Sequence, residues 1–244
     1  MPPKKDTKKA DAMINFYDIM PKKFLSTPDN PNFKHHKMNI PFRCITVGGS
    51  GTGKTITTLN LIHRFSQGRK GTFSKIYYIT KNKNEPALNY LETISDQIII
   101  KEGLENLPNL DKDFPDPRTS DGEQFLVVID DLVLAKNQTP ISNYMMRCRK
   151  LNVSVIICSQ SYYATPIFQR RNANYIMVLK LGGNREIKQV LNDFGFNMSN
   201  EQLVKMYEYA TSEKFSPLLI DCEAPPEERF RRGFLEVLSP DDFV

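Results

Sequence analysis

The chain is 244 residues long, 40% apolar and 25% charged, with a formal net charge of +5. That length and apolar share suffice for one large domain or two small ones with a buried core. No run approaches the ~18 apolar residues needed to cross a bilayer, so no membrane partner is expected, and the mild basic excess permits nucleic-acid binding without requiring it.

Residues 1–12 are rich in Lys and Pro and nearly free of large apolar side chains, the composition of a disordered basic tail. No apolar run follows this basic start, which speaks against a secretory leader and for a protein that stays inside a cell or a particle. Over 13–39 aromatics alternate with Pro, Asn and Lys, as in an irregular N-terminal arm laid over a domain. His35 and His36 read as solvated surface there, and with His63 they form no metal or triad constellation. Cys44, Cys148, Cys158 and Cys222 have no CxxC pairing and no His at zinc-finger spacing, so they read as reduced structural thiols.

The main domain is expected over 40–222. "RCITV" (43–47) is a short β-branched strand signal, followed by a Gly-rich stretch and then by "KTITTLNLIHRF", whose apolar residues fall at helical spacing. Further runs, "KIYYIT" (75–80), "FLVVID" (125–130), "VSVIIC" (153–158), "NYIMVLK" (174–180) and "PLLIDC" (217–222), are continuous rather than alternating. Such runs suit strands buried on both faces of a parallel sheet. Helix candidates lie between several of them, at "EPALNYLETI", "ISNYMMRCRKL", "NREIKQVLNDF" and "NEQLVKMYEYA". Strands alternating with helices imply an α/β fold with right-handed crossovers. The Pro- and Asp-rich stretch 102–123 reads as a surface excursion, and 223–244 as a Pro-rich, charged C-terminal tail.

Gly48, four residues, then Gly53-Lys54-Thr55 satisfies G-x-x-x-x-G-K-[ST] in full. In such a P-loop the backbone N–H groups of Gly48, Gly49, Ser50, Gly51, Thr52, Gly53, Lys54 and Thr55 turn inward around phosphates, where a helix dipole favours negative charge. Lys54 would reach the β and γ phosphates of ATP, and the Thr55 hydroxyl would ligate Mg²⁺. Asp130, at the tip of the strand "FLVVID", suits a Walker B carboxylate holding that Mg²⁺. Asp131 suits the carboxylate that orients or deprotonates an attacking water; the plainer reading is a helix N-cap. Gln160, closing "VSVIICSQ", either senses the γ phosphate or ends a strand. Arg147, Arg149 and Lys150 cluster at a helix end, where cations complement the dipole or where an arginine finger could reach a neighbouring subunit.

Two segments are candidate DNA surfaces: the arm, with Lys4, Lys5, Lys8, Lys9, Lys22, Lys23 and Lys34, and "SQSYYATPIFQRRN" (159–172), with Tyr162, Tyr163, Arg170 and Arg171. Aromatics in such a loop more often serve a core or a subunit interface than base stacking.

Together, "GGSGTGKT", "FLVVIDD" and "CRKLNVSVIICSQ" resemble the FtsK/HerA superfamily of P-loop ATPases over about residues 40–222. Within it the chain is most similar to the genome-packaging ATPases of large double-stranded DNA viruses, including the poxvirus type, and of virophages. The family's Arg-His pair reads Arg149-Lys150 here, Gln160 falls on the strand-end glutamine, and Asp131 stands where many such ATPases carry Glu. The resemblance implies a RecA-like, additional-strand, mostly parallel sheet flanked by helices. It also implies a homo-oligomeric ring, hexamer or pentamer, that spends ATP to move double-stranded DNA into a capsid. The expected setting is intracellular, in the host-cell cytoplasm, a viral factory or the virion. Another ring-forming DNA translocase or helicase, a small-molecule kinase and a nucleotide-gated switch are the rival readings.

Overall fold

The continuous apolar runs form the interior of one sheet. The structure, a computed structural model, describes residues 13–244 except 22–23, 25–27, 118–121, 134, 195 and 197. The expected tail over 1–12 lies outside the described residues, as do Lys22 and Lys23.

Six parallel strands, β1 (Arg43–Val47), β2 (Lys75–Thr80), β3 (Ile98–Glu102), β4 (Phe125–Asp130), β5 (Val153–Ser159) and β6 (Tyr175–Val178), lie in the order β3-β2-β4-β5-β1-β6. Beyond β6 the sheet turns antiparallel through β7 (Leu218–Asp221), β8 (Phe230–Arg232) and β9 (Glu236–Leu238). β5 separates β1 from β4, so one strand stands between the glycine-rich loop and the aspartates, as the additional-strand expectation requires.

Alternate residues of each central strand feed two separate cores. Ile45, Val127, Ile129, Val155 and Ile157 face one side, where they meet α5 (Thr139–Arg147), α7 (Asn184–Phe194) and α8 (Asn200–Ala210). Cys44, Leu126, Val128, Ile156 and Cys158 face the other, against α3 (Lys54–Arg64) and α4 (Pro86–Ile94). Because both faces are covered, these strands show no polar alternation, and each buried aliphatic side chain contributes about 1.5–3 kcal/mol. The short helices α1 (Phe16–Ile19), α2 (Phe33–His36) and α6 (Ile167–Asn172) complete the set among the described residues.

Four features differ from the sequence expectation. β3 has no counterpart among the expected strands; its apolar part is only Ile98, Ile99 and Ile100 before Lys101 and Glu102, and it forms the sheet edge. "PLLIDC" does yield a strand buried throughout, but β7 runs antiparallel to β6, a direction that apolar periodicity does not encode. Residues 223–244, expected as a tail, carry β8 and β9 and bury Phe230 and Arg231. The Arg231 guanidinium donates to Asp221 at 2.9 Å and to the carbonyls of Lys37 and Phe234, tying this end of the chain to the N-terminal arm. His36, expected at the surface, is fully buried, its ring centroid 4.0 Å from that of Phe65 with the two planes tilted by 43°. The 102–123 excursion is pinned at Phe114, whose ring meets Tyr77, Phe125 and Tyr144 edge to face.

Candidate nucleotide site

The glycine-rich loop hangs from two strand ends. The Gly48 N–H donates to the Ser159 carbonyl at 3.2 Å and the Gly49 N–H to the Lys180 carbonyl at 3.0 Å. Gly48 has to be glycine because a Cβ there would lie 2.8 Å from the Cβ of Leu179 and 2.6 Å from the Thr52 hydroxyl. Gly51 and Gly53 have φ of 72° and 98°, the left-handed region that a side chain disfavours. Gly53 is the N-cap of α3 and makes no side-chain cap bond, so the first-turn N–H groups of α3 keep the polarity that attracts an anion.

Lys54 is the first residue of α3, and its ammonium folds back into the loop to donate to the carbonyls of Gly48 at 3.0 Å and Gly49 at 3.2 Å. It is only 7% exposed and has no carboxylate partner among the described residues. A buried cation whose hydrogen bonds go to neutral carbonyls is disposed to bind an anion.

Asp130 ends β4 on the face that carries α3 and is buried. Burial raises its carboxyl from the ordinary aspartate range to about 6, and the neighbouring Asp131 adds to the rise; the Tyr78 hydrogen bond and the nearby Lys54 charge pull the other way. That bond, from the Tyr78 hydroxyl to Oδ2 at 2.9 Å, comes from the adjacent strand β2. Asp131 follows at φ 54°, and its N–H donates to the Cys158 carbonyl at 3.2 Å. Among non-glycine residues Asp and Asn enter this left-handed region most readily, which gives a backbone reason for Asp rather than Glu here. Asp131 does not cap a helix, since the next helix, α5, starts at Thr139. Gln160, one residue past β5, donates from Nε2 to Asp131 Oδ2 at 2.8 Å. Lys54, Asp130, Asp131 and Gln160 therefore converge at the C-terminal ends of β1, β4 and β5.

The donor set fits a hard divalent cation of the Mg²⁺ kind: a hydroxyl at Thr55, and at Asp130 a buried carboxylate whose charge is not fully matched by protein groups. Among the described residues no three His, Cys, Asp or Glu side chains group as a metal site, and Mg²⁺ commonly takes its remaining ligands from substrate phosphates and water.

Arg147 and Arg149 lie elsewhere. Arg147 ends α5 and pairs with Asp111; Arg149 lies in the 3₁₀ segment Cys148–Leu151 before β5 and faces Glu223 at 3.8 Å. Both guanidiniums are about half exposed, and Arg149 lines a cavity of 1050 Å³ at the N-terminal end of the sheet. β5 stands between them and the loop, about 20 Å of extended chain, so neither reaches the P-loop of the same chain.

Of the candidate DNA surface at 159–172, Tyr162 and Arg170 are withdrawn into the protein. The Tyr162 hydroxyl and the Arg170 guanidinium both donate to Asp193 at 2.7 Å, with Arg170 stacked 4.6 Å from the Tyr162 ring centre. Tyr163 and Arg171 remain exposed, as does Lys34 of the arm. Sequence reasoning missed Tyr78 and Phe215. A tyrosine inside the buried run "KIYYIT" is itself a signal, because a buried phenol needs an acceptor. Phe215, whose ring packs on Gly53, has no comparable signal.

The chain is 28% identical over 149 residues to the DNA packaging protein OPG160 of monkeypox virus, covering 58% of this chain and 49% of that one. It has the same identity over the same length to the vaccinia virus (strain Copenhagen) protein of that name, of which 54% is covered. It thus spans about half the length of the curated relatives it matches. In fold it is similar to the genome packaging NTPase B204 of Sulfolobus turreted icosahedral virus 2, solved in complex with AMPPCP. That likeness has a TM-score of 0.53 at 14% identity, over 76% of this chain and 94% of that one. The profile of one family, described as Poxvirus A32 protein, matches residues 31–220. With its site at the ends of β1, β4 and β5 and most of its length inside that match, the chain belongs to the Poxvirus A32 protein family.

Proposed function

We propose that this chain is the ATPase of a viral DNA-packaging motor, hydrolysing ATP with Mg²⁺ to drive double-stranded DNA into a capsid. The observation that carries the reading is the convergence of Lys54, Asp130, Asp131 and Gln160 at the C-terminal ends of β1, β4 and β5, in a chain whose relatives are named DNA packaging proteins.

In this reading the loop 48–55 binds the triphosphate through its N–H groups, and the Lys54 ammonium exchanges its two carbonyl partners for β and γ phosphate oxygens. Thr55 and Asp130 would hold Mg²⁺, which supplies charge neutralisation between those phosphates. Asp131 accepts a hydrogen bond from the attacking water. As the bond from the water oxygen to the γ phosphorus forms and the bond to the bridging oxygen breaks, the water proton passes to that carboxylate, leaving ADP and phosphate. Gln160 holds Asp131 in aim.

The position of Arg149 supports a ring. A guanidinium at the far end of the sheet serves a P-loop only by entering the site of a neighbouring copy, which a head-to-tail, closed assembly of five or six subunits provides. Arg147, held by Asp111, is the less available of the two. The loop region with Tyr163 and Arg171, and Lys34 of the arm, would face duplex backbone without reading bases. The P-loop domain over 40–222, with the arm before it, would act at the site of virus assembly in the host cell, with capsid proteins as its docking partners.

The test is ATP hydrolysis at low salt with and without long duplex DNA, using Lys54→Ala as the blank. Stimulation by duplex but not by short single strands supports the motor. A rate above the blank but indifferent to DNA would favour a kinase, and a wild-type rate equal to the blank would remove the P-loop reading.

A further inference from the structure

Two segments leave the sheet on either side of the glycine-rich loop and are joined beyond it. β5 and β6 flank β1, and the loop hangs from the carbonyls of Ser159 and Lys180 at the ends of those two neighbours. Past β5 the chain runs through Gln160 to Ser161; past β6 it runs through Lys180 to α7. The Ser161 hydroxyl donates to the carboxylate of Glu186 in the first turn of α7. A second tie follows, from the Tyr163 hydroxyl to the Arg185 carbonyl at 3.4 Å. The contact with Asp131 and the grip on α7 are thus made by adjacent residues, Gln160 and Ser161.

α7 divides its charges. Ile187 and Val190 are buried against the sheet. Both carboxylates are engaged by the 159–172 segment, Glu186 by Ser161 and Asp193 by the Tyr162 hydroxyl and the Arg170 guanidinium at 2.7 Å each. The cations Arg185 and Lys188 are exposed, lie one turn apart on one face, and pair with no carboxylate among the described residues. The Arg185 guanidinium lies 5.6 Å from the centre of the exposed Tyr163 ring. Unpaired cations in a row on one helix face suit a line of phosphates and read no bases.

The joint before α7 is Gly182-Gly183. A Cβ added at either would meet nothing within 4 Å, and neither has a φ in the left-handed region. Nothing in the observed conformation calls for glycine there, whereas a segment that changes its φ and ψ does. Leu181, just before the joint, is fixed, its N–H donating to the Tyr207 hydroxyl of α8 at 2.8 Å. A fixed point followed by two glycines lets α7 turn while the end of β6 stays in place.

We propose that α7 is the element by which the nucleotide site controls the hold on DNA: the Ser161–Glu186 hydrogen bond passes a change at Gln160 to α7, whose Arg185 and Lys188 contact duplex phosphates. A terminal phosphate, present in ATP and absent in ADP, offers the second N–H of the Gln160 amide an acceptor beside Asp131, which is the differential contact that such a shift requires. The proposal rests on the motor reading, and the two fail differently.

Anisotropy of a long labelled duplex would be titrated with the full chain without nucleotide, with a non-hydrolysable β,γ-imido analogue of ATP, and with ADP, each over a salt series. Wild-type affinity should differ about fivefold or more between analogue and ADP, the lower end of ordinary allosteric couplings. Arg185→Ala with Lys188→Ala should flatten the slope of log affinity against log salt by about 2, the share of two phosphate contacts. Ser161→Ala should keep the slope but bring the analogue and ADP affinities together, and Ser161→Thr, which retains the hydroxyl, should restore the difference. Gly182→Ala with Gly183→Ala should melt at or above the wild-type temperature, because it restricts the unfolded chain, and yet lose the difference between nucleotides. Equal wild-type affinity with analogue and ADP, an unchanged salt slope in the folded Arg185 and Lys188 variant, or an unchanged nucleotide dependence in both the Ser161→Ala and the double glycine variant would overturn the role of α7. A wild type that binds no duplex in any state would instead remove the motor reading beneath it.

Discussion

The Gln160 carboxamide donates to the Asp131 carboxylate at 2.8 Å across 29 residues of sequence. The two residues leave adjacent parallel strands, β5 and β4, and meet beyond their ends. Asp131 is thereby held twice, by its left-handed backbone and by an amide on one carboxylate oxygen. In the mechanism proposed above, its other oxygen would face the attacking water. Gln160→Ala is expected to lower kcat for ATP hydrolysis about 10²-fold, the scale of a misaligned general base, with KM changed little. Steady-state kinetics with and without DNA checks this. A raised KM at constant kcat would instead make Gln160 a nucleotide ligand.

Tyr78 offers the corresponding test at Asp130. Its hydroxyl is buried and donates to Oδ2 at 2.9 Å, so it fixes which carboxylate oxygen would remain for the proposed Mg²⁺. Such outer partners commonly change metal affinity about 10–100-fold when removed. Tyr78→Phe should therefore raise the Mg²⁺ concentration needed for half-maximal tightening of ATP-analogue binding, while binding in excess EDTA stays as in the wild type. An equal loss in EDTA would show a general packing defect. The hydrogen bond itself contributes about 1–2 kcal/mol to stability, to be read from urea unfolding.

His36 makes stability depend on pH. Burial lowers its pKa from 6.5 to about 3, helped by the positive charges of Arg231, His35 and Arg64. Nδ1 accepts from the Met38 N–H at 3.0 Å, so the neutral ring is the form the fold uses. Because the unfolded chain binds this proton at a higher pH than the folded one, stability is intact above about pH 6.5. It falls by up to about 1.4 kcal/mol per unit as pH drops from there toward about 3. His36→Gln keeps an acceptor without the titration. The stability difference between wild type and His36→Gln, from urea unfolding at about pH 8 and about pH 5, should shrink or reverse on acidification. A constant difference would exclude His36 as the source.

Much of this site is legible in the amino-acid order alone. The continuous runs at 43–47, 125–130 and 153–158 form adjacent parallel strands because residues buried on both faces leave no polar alternation. The glycine pattern announces a loop with positive φ, seen at Gly51 and Gly53. What stays hidden depends on contacts across long separations. Tyr78 meets Asp130 over 52 residues and Thr57 meets Phe215 over 158. Neither register nor strand direction leaves a periodic trace, which is why the orientation of β7 and the pairing of β8 with β9 escape a reading of the sequence. His36 misleads because its neighbours in sequence are polar while its neighbours in space are Phe33 and Phe65.

Arg149 provides the decisive test of a shared site. It lies about 20 Å of extended strand from its own loop, and its contact with Glu223 is 3.8 Å between half-exposed groups. Arg149→Ala should therefore leave the melting temperature close to wild type, since such exposed pairs contribute about 0–1 kcal/mol. If the guanidinium enters a neighbouring site, DNA-stimulated hydrolysis should fall about 10³-fold or more. Asp131→Asn should be equally inactive for a different reason, having lost the proton acceptor on the other side of the interface. An equal mixture would then recover activity, because roughly a quarter of head-to-tail interfaces pair an intact Asp131 with an intact Arg149. Recovery should require subunit exchange and vanish when the Arg149→Ala variant also carries Lys54→Ala, because that subunit supplies the P-loop of every restored site. Mixtures that stay dead at every ratio, with both variants assembled, would mean that Arg149 serves the DNA or capsid face and not catalysis.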